Sequence, residues 1–148
     1  MGLPIPAKIL VVDDQSYVRQ TLRSLLARQP DWEIYEAGDG KAAVKCAQEI
    51  DVDLVVMDIF MPGMNGIETA HELRHVAPET KVIKIILISS HCYPPSQGIA
   101  IARLLGDCSF MEKKAAAKEL VQAVTRMLSP DSQTGAVERL SANERRAR

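Results

Sequence analysis

Short apolar runs alternate five times with longer amphipathic segments, and this alternation constrains the fold more than any other feature of the sequence. The runs are apolar throughout and too short for helices, as in residues 54–57. The longer segments repeat apolar residues at helical spacing, as in Val18, Leu22, Leu25 and Leu26. Five strands alternating with five helices predict an α/β domain, a doubly wound (βα)5 parallel sheet with right-handed crossovers and strand order 2-1-3-4-5.

The predicted elements occupy one domain, residues 7–128. The predicted strands are residues 8–12, 32–37, 54–58, 82–88 and 108–112. The first predicted helix is capped by Ser16 and ends near Pro30, and the third and fourth cover residues 67–76 and 99–105. From Ser129 the periodicity stops, so residues 129–148 are predicted to be a linker and tail.

Composition excludes several classes of protein. The net charge is −1, from 18 basic and 19 acidic residues, which gives no overall field toward nucleic acid or membrane. The cysteines, Cys46, Cys92 and Cys108, lack metal-binding spacing and predict free thiols in a reducing compartment. The N-terminus lacks the pattern of a signal peptide, and no apolar run is long enough to span a membrane. We therefore expect a cytoplasmic protein that does not contact membranes.

Chemically active side chains follow the predicted strands. Asp13 and Asp14 end the first strand, and Asp58 ends the third. Ser89 ends the fourth strand and Lys113 follows the fifth. Because strands one and three are neighbours in this order, the three carboxylates converge and favour a cation such as Mg²⁺. With a hydroxyl and an ammonium beside them, Asp58 is predicted to attack a phosphoryl group and form an acyl phosphate.

These motifs resemble the receiver domain of bacterial two-component response regulators. The resemblance covers Lys8 to Leu128 and depends on four motifs. They are Ile-Leu-Val-Val-Asp13-Asp14, Asp58-Ile-Phe-Met-Pro-Gly-Met-Asn-Gly-Ile-Glu68, Ile88-Ser89-Ser90, and Gly106 through Phe110 to Lys113. The resemblance implies a flavodoxin-like fold and a signalling role rather than an enzyme, with self-phosphorylation and slow autodephosphorylation as the only reactions.

The resemblance also assigns the acids. It implies that Asp58 is the phosphoacceptor, taking its phosphoryl group from a sensor histidine kinase. Asp14 and Asp58 would bind Mg²⁺ directly, Asp13 would bind it through water, and the backbone carbonyl of Phe60 would be a further ligand.

The remaining assignments concern phosphoryl binding and switching. By resemblance, Ser89 and Lys113 bind the phosphoryl group, and Phe110 is the aromatic residue that changes position with it. His91 is a candidate for tuning hydrolysis, although an ordinary loop histidine fits equally well. The face formed by helix four, strand five and helix five would contact an output domain, a protein partner or a second copy of the chain.

One departure from the family pattern and one short motif in the tail bear on output. Lys114 follows Lys113 where the family commonly has proline, so we expect a trans peptide bond, since a cis bond without proline costs roughly 3 kcal/mol. Receivers without that proline resemble those joined to LuxR-type helix-turn-helix domains. Residues 140–145 weakly resemble the opening of such a domain. The chain is then either a receiver cut inside its output domain, which alone would bind DNA, or a stand-alone receiver.

Three other functions compete with a phosphoacceptor. A degenerate receiver would bind partners without phosphorylation. A dinucleotide site is suggested by Gly38, Gly40 and Ala43, which fit G-x-G-x-x-A with Asp58 20 residues beyond Gly38. A haloacid-dehalogenase-like phosphatase would require an acid where Phe60 stands.

Simpler interpretations apply to single residues. Asp13 and Asp14 are also typical helix caps, and an isolated Lys113 would be an ordinary surface lysine. His71 and His75 have a spacing that can bind metal, but without an evident third ligand they indicate a solvated helix face.

Overall fold

The strands form one parallel sheet in the predicted order. The computed structural model describes residues 5–77, 81–90 and 100–129, residue 102 excepted. Within these residues the sheet order is β2-β1-β3-β4-β5, and every neighbouring pair is parallel. The strands are β1 (Ala7–Val12), β2 (Trp32–Ala37), β3 (Leu54–Asp58), β4 (Lys84–Ser89) and β5 (Cys108–Glu112).

Helices connect the strands as the periodicity predicts. They are α1 (Ser16–Leu26), α2 (Gly40–Glu49), α3 (Gly66–Val76), α4 (of which residues 100, 101 and 103–105 are described) and α5 (Ala116–Leu128). A short 3₁₀ turn, Lys113–Ala115, precedes α5. The fold class predicted from the sequence is therefore confirmed.

The sheet has a separate apolar core on each face, because successive strand residues point to opposite sides. Leu10 and Val12 belong to a core that includes Leu73 of α3, whereas Ile9 and Val11 belong to a core that includes α1 and α5 residues. The same alternation continues through β3 and β4. Each fully buried Leu or Ile contributes about 2 kcal/mol. Coverage on both faces explains why these strands are apolar at every position.

The start of the first helix departs from prediction. Ser16 is the first residue of α1 rather than its cap, and the preceding Gln15 makes no capping hydrogen bond with its side chain. Asp13 instead accepts a hydrogen bond from the backbone N–H of Gln15, at 2.9 Å. By contrast, Asp39 and Asn65 cap α2 and α3 with their side-chain oxygens. The cap prediction for α1 was wrong because Asp13 already directs this turn.

The remaining differences are small. The first helix ends at Leu26 instead of near Pro30, and β4 begins at Lys84 instead of Val82. No peptide bond among the described residues is cis, as expected after Lys113. Within the same residues, no helix combines the length and apolarity that crossing a bilayer requires. The predicted tail beyond Ser129, the start of predicted helix four and His91 lie outside the described residues.

Candidate functional site

Strand order brings three carboxylates together at the carboxyl edge of the sheet. Val12 of β1 pairs with Met57 of β3, so Asp13 and Asp58 leave neighbouring strands at the same level. One oxygen each from Asp13, Asp14 and Asp58 lies within 4.8 Å of the others. Asp13 is 1% exposed and Asp58 is 6% exposed, whereas Asp14 faces solvent. The predicted acidic cluster therefore exists, with one acid open to water and two nearly enclosed.

Two hydrogen bonds orient the Asp58 carboxylate. The backbone N–H of Phe60 donates to Oδ1 at 3.2 Å, and the Lys113 ammonium donates to Oδ2 at 3.2 Å. Lys113 comes from the turn that follows β5, so its contact with Asp58 joins residues 55 positions apart. The parallel sheet makes this contact possible by placing the ends of β3 and β5 on the same edge.

The turn after Asp58 depends on two glycines for different reasons. Gly63 has φ 76°, a conformation that favours glycine. Gly66, at the start of α3, donates its N–H to the Ile59 carbonyl at 2.8 Å. A Cβ at Gly66 would lie 2.4 Å from the Asp58 carbonyl oxygen, closer than atoms can approach. The sequence indicated a glycine turn, but this close approach to the backbone of Asp58 was not predictable from it.

Asp13 has two oxygens in different situations. Oδ1 accepts the hydrogen bond from the N–H of Gln15, which is itself the N-cap residue of α1, so Asp13 shapes the turn before the helix and does not cap it. Oδ2 is buried and has no hydrogen-bond partner among the described residues, although the Lys113 ammonium lies 3.3 Å away as an ion pair. Burial raises the pKa of Asp13, and the negative charge of Asp58 raises it further. A buried carboxylate oxygen that has only an ion pair, with a lysine that Asp58 also engages, leaves room for an additional ligand.

Lys113 is the shared cation of the site. Burial by itself would lower the pKa of Lys113, but the charges of Asp58 and Asp13 outweigh burial and raise it. One ammonium is thus shared by two of the three carboxylates, Asp13 and Asp58. Clustered carboxylate oxygens, one of them exposed and one buried without a hydrogen bond, suit a hard cation that keeps bound water, such as Mg²⁺. The residues present therefore fit the predicted metal.

The other predicted residues lie at or near this edge. Ser89 is buried at the end of β4, where it pairs in register with Glu112 of β5. Phe110 is partly buried and packs against the core beneath α2 and α3. Phe60 is half exposed beside Asp58, and its carbonyl as a metal ligand stays a prediction. The structure thus places Ser89, Phe110 and Phe60 consistently with their predicted roles without testing those roles.

Nothing in the sequence indicated that Arg19 belongs to this region. Its guanidinium Nη1 donates to the backbone carbonyl of Asp13 at 2.7 Å, and its Nε donates to Glu36 at 3.2 Å. Within the sequence, Arg19 resembles any polar residue on the outer face of an amphipathic helix. Only the packing of α1 against β2 brings Arg19 to Asp13 and Asp14.

Comparison with known proteins identifies the family. Residues 9–125 match the family described as the response regulator receiver domain. The chain belongs to this family. The nitrate/nitrite response regulator protein NarL of Escherichia coli is 29% identical over 120 residues, which are 80% of this chain and 53% of NarL. The transcriptional regulatory protein LiaR of Bacillus subtilis is 32% identical over 120 residues, 79% of this chain and 54% of LiaR.

Solved structures agree with this assignment. A LuxR-family two-component response regulator from Aurantimonas sp. SI85-9A1 matches with a TM-score of 0.73 and 30% identity, covering 90% of this chain and 97% of that one. The signal receiver domain of the NarL regulator from Mycobacterium tuberculosis matches with a TM-score of 0.70 and 28% identity, covering 82% and 95%. The receiver spans about half the length of the curated relatives it matches.

The geometry also weighs against the dinucleotide interpretation. Asp39 accepts a hydrogen bond from Ala42 N–H, so a carboxylate already occupies the N-terminus of α2, where a pyrophosphate would bind. A Cβ at Gly40 would lie 2.3 Å from Thr69 Oγ1 and 3.0 Å from the sulfur of Met64. Gly40 therefore permits close packing of α2 on α3 rather than approach of a phosphate.

The histidines of α3 follow the simpler interpretation. His71 and His75 are both exposed, with ring centroids 4.5 Å apart. The metal-capable cluster in the described part of the chain contains only acids, namely Asp13, Asp14 and Asp58.

Proposed function

We propose that this receiver domain accepts a phosphoryl group on Asp58 from a sensor histidine kinase, in a reaction that requires Mg²⁺. The observation that carries the proposal is the oriented Asp58 carboxylate, held by Lys113 and the Phe60 N–H next to Oδ2 of Asp13, which is buried and makes no hydrogen bond. Pre-oriented donors around one nucleophile, with surplus negative charge beside it, are the arrangement that phosphoryl transfer needs.

The acids supply the ligands for the metal. Asp14 and Asp58 would hold Mg²⁺ directly, Asp13 would do so through water, and the Phe60 carbonyl would complete the protein ligands. When bound, Mg²⁺ supplies positive charge that offsets the repulsion between the carboxylates and an incoming phosphoryl dianion. Lys113, whose raised pKa keeps it protonated, contributes a second positive charge beside Asp58.

The transfer exchanges one bond to phosphorus for another. A carboxylate oxygen of Asp58 forms a bond to phosphorus as the bond between phosphorus and the donor histidine nitrogen breaks. The product is an acyl phosphate on Asp58, and the donor leaves as an unphosphorylated histidine. Lys113 and the Ser89 hydroxyl stabilise the phosphoryl oxygens, and water later hydrolyses the acyl phosphate slowly. No other reaction is assigned to the domain.

Phosphorylation changes the surface that partners bind. The new charge draws Ser89 toward Asp58, and Phe110 on the adjacent strand moves into the space that Ser89 leaves. The face formed by α4, β5 and α5 then repacks and binds an output domain, a protein partner or a second copy of the chain. Because relatives such as LiaR are named transcriptional regulators and are about twice as long, transcription is the proposed output, through a separate DNA-binding part in the cytoplasm.

Intact-mass measurement after incubation with acetyl phosphate tests the proposal. We expect one phosphoryl adduct in the wild type with Mg²⁺, and none after chelation or in Asp58→Asn. Asp51→Asn is the matched control, because Asp51 is an acid in the turn before β3, at the opposite edge of the sheet, and should leave the adduct unchanged. Folded wild-type protein that forms no adduct with Mg²⁺ present would instead indicate a phosphorylation-independent interaction module.

A further inference from the structure

Arg19 links the acid pair, Asp13 and Asp14, to the neighbouring strand β2. It lies in α1, and its side chain is 21% exposed. One guanidinium nitrogen, Nη1, donates to the Asp13 carbonyl at 2.7 Å, and Nε forms an ion pair with Glu36 of β2 at 3.2 Å. The planar fork of a guanidinium presents separate N–H donors in fixed directions, which suits both contacts at once.

The carbonyl that Arg19 binds lies just after the end of β1, between the two acids. β1 ends at Val12, so the carbonyl of Asp13 lies beyond the regular sheet ladder. It belongs to the peptide group that joins Asp13 to Asp14. Fixing this carbonyl fixes the plane of that peptide, and hence the starting direction of both acidic side chains. On the other side of Asp13, its N–H donates to the Ala37 carbonyl at 3.3 Å, so the peptides on both sides of Asp13 are held.

Arg19 acts on this peptide through position rather than through charge. Its guanidinium contacts the neutral carbonyl of Asp13 and shares Glu36 with Arg23. Lys113, and not Arg19, is the cation that opposes the rise in the pKa of Asp13. Groups that hold a metal ligand in place contribute to metal affinity without touching the metal. The contact to the Asp13 carbonyl is of this kind.

We propose that Arg19 is a positioning residue that holds the Asp13–Asp14 peptide in the orientation needed for Mg²⁺ binding. The proposal rests on the metal role assigned to these acids in the proposed function. It adds a residue of α1, anchored on β2, to the determinants of that site. Arg23 provides a matched control, because it also pairs with Glu36, at 2.5 Å, and makes no contact with Asp13 in the described structure.

Calorimetric Mg²⁺ titration of wild type, Arg19→Met and Arg23→Met tests the proposal without any phosphoryl transfer. Methionine keeps most of the apolar stem and removes the donors. We expect Arg19→Met to weaken Mg²⁺ binding by about tenfold, the usual cost of losing a group that positions a metal ligand. Arg23→Met should change the dissociation constant by less than about twofold, since it loses only an exposed ion pair.

Two further measurements separate positioning from general stability. Amide chemical shifts of Asp14 and Gln15 should change in Arg19→Met but not in Arg23→Met, while both variants keep a cooperative thermal transition. Arg19→Lys should recover part of the affinity, because an ammonium can donate to the same carbonyl. If Arg19→Met does not fold, Arg19→Gln, which is too short to reach the carbonyl, is measured in its place.

The outcomes distinguish this inference from the proposed function. Equal Mg²⁺ affinity in wild type and Arg19→Met, with the wild type phosphorylated normally, overturns the role of Arg19 alone. Equal losses in Arg19→Met and Arg23→Met also overturn it, because they would trace the effect to Glu36. A wild-type chain that binds no Mg²⁺ overturns the proposed function and this inference together.

Discussion

The two edges of the sheet treat their polar groups in opposite ways. At the carboxyl edge, the buried Oδ2 of Asp13 makes no hydrogen bond among the described residues, and it shares the Lys113 ammonium with Asp58 while Asp14 faces solvent. At the amino edge, Asp53 accepts from the Lys8 N–H at 2.7 Å and pairs with Lys81 at 2.7 Å. Polar groups that have partners, as at the amino edge, contribute to stability. Negative charge in excess of its partners is kept at the carboxyl edge, where a ligand binds.

Arg74 shows that backbone carbonyls at the amino edge also have a hydrogen-bond donor. Its guanidinium donates to the carbonyls of Ile83, Leu105 and Gly106, in the segments that precede β4 and β5. Gly106 and Asp107 both have positive φ values, 65° and 37°, where the chain turns into β5. Burial lowers the pKa of Arg74, but a guanidinium remains charged, and its hydrogen bonds to carbonyl groups replace water. One side chain of α3 thus fastens two loops.

The largest effect is expected at the amino edge. Arg74→Met should lower the free energy of unfolding by roughly 3 kcal/mol, because partly buried carbonyls lose a charged donor. Urea unfolding measures this change, and Mg²⁺ affinity should stay within about twofold of wild type, since no contact with the acids is lost. Arg23→Met, at an exposed ion pair, is the control and should cost under about 1 kcal/mol.

If Arg74→Met weakened Mg²⁺ binding as strongly as it destabilised the fold, the two edges would not be independent. The contrast between them would then fail.

The next effect is a reversal of stability at the carboxyl edge. Without metal, Asp13→Asn should raise the free energy of unfolding by roughly 1 kcal/mol, because it removes a buried charge that faces Asp58. With Mg²⁺ at about ten times its dissociation constant, wild type should gain about 1.4 kcal/mol and the variant little, as mass action requires. Unfolding curves with Mg²⁺ and with a chelator measure both changes. A variant less stable than wild type in both conditions would contradict the reversal.

The smallest effect is a difference in pH dependence between two acids. Burial raises the pKa of Asp13 above its ordinary 3.8, so the folded state binds this proton more tightly than the unfolded state does. The contribution of Asp13 to stability therefore falls as the pH rises from 3.8 to the raised pKa. A hydrogen bond from Lys81 lowers the pKa of Asp51, so its contribution is present above the ordinary value of 3.8 and is lost as pH falls below it.

Unfolding free energies of metal-free wild type, Asp13→Asn and Asp51→Asn, measured between about pH 3 and 7, test these opposite signs. With rising pH, asparagine at position 13 should become increasingly stabilising relative to wild type. Asparagine at position 51 should become destabilising by only a few tenths of a kcal/mol, because the Asp51–Lys81 pair is exposed to water. Parallel pH curves for the two variants would remove this distinction between the edges.

Much of the architecture was predictable because it depends on local pattern. The apolar run of β3, bounded by Asp53 and the turn at Pro62, predicted a buried strand within one residue of its observed limits. Periodicity likewise predicted α3 and β5, because buried faces impose their spacing on the sequence. The Ser16 cap was mispredicted because a capping residue type was present, while the hydrogen bond to Gln15 came from Asp13.

The sequence by itself determined which side chains end the strands, and therefore that acids, Ser89 and Lys113 would meet at one edge. That inference needed only strand order and the period of two along each strand. Only the tertiary structure decided which atoms are left without partners, that Gly66 must approach the Asp58 carbonyl, and that Arg19 binds the peptide between Asp13 and Asp14. These features depend on differences of a few tenths of an ångström in the positions of atoms from separate elements. Residue types and spacing carry no such information.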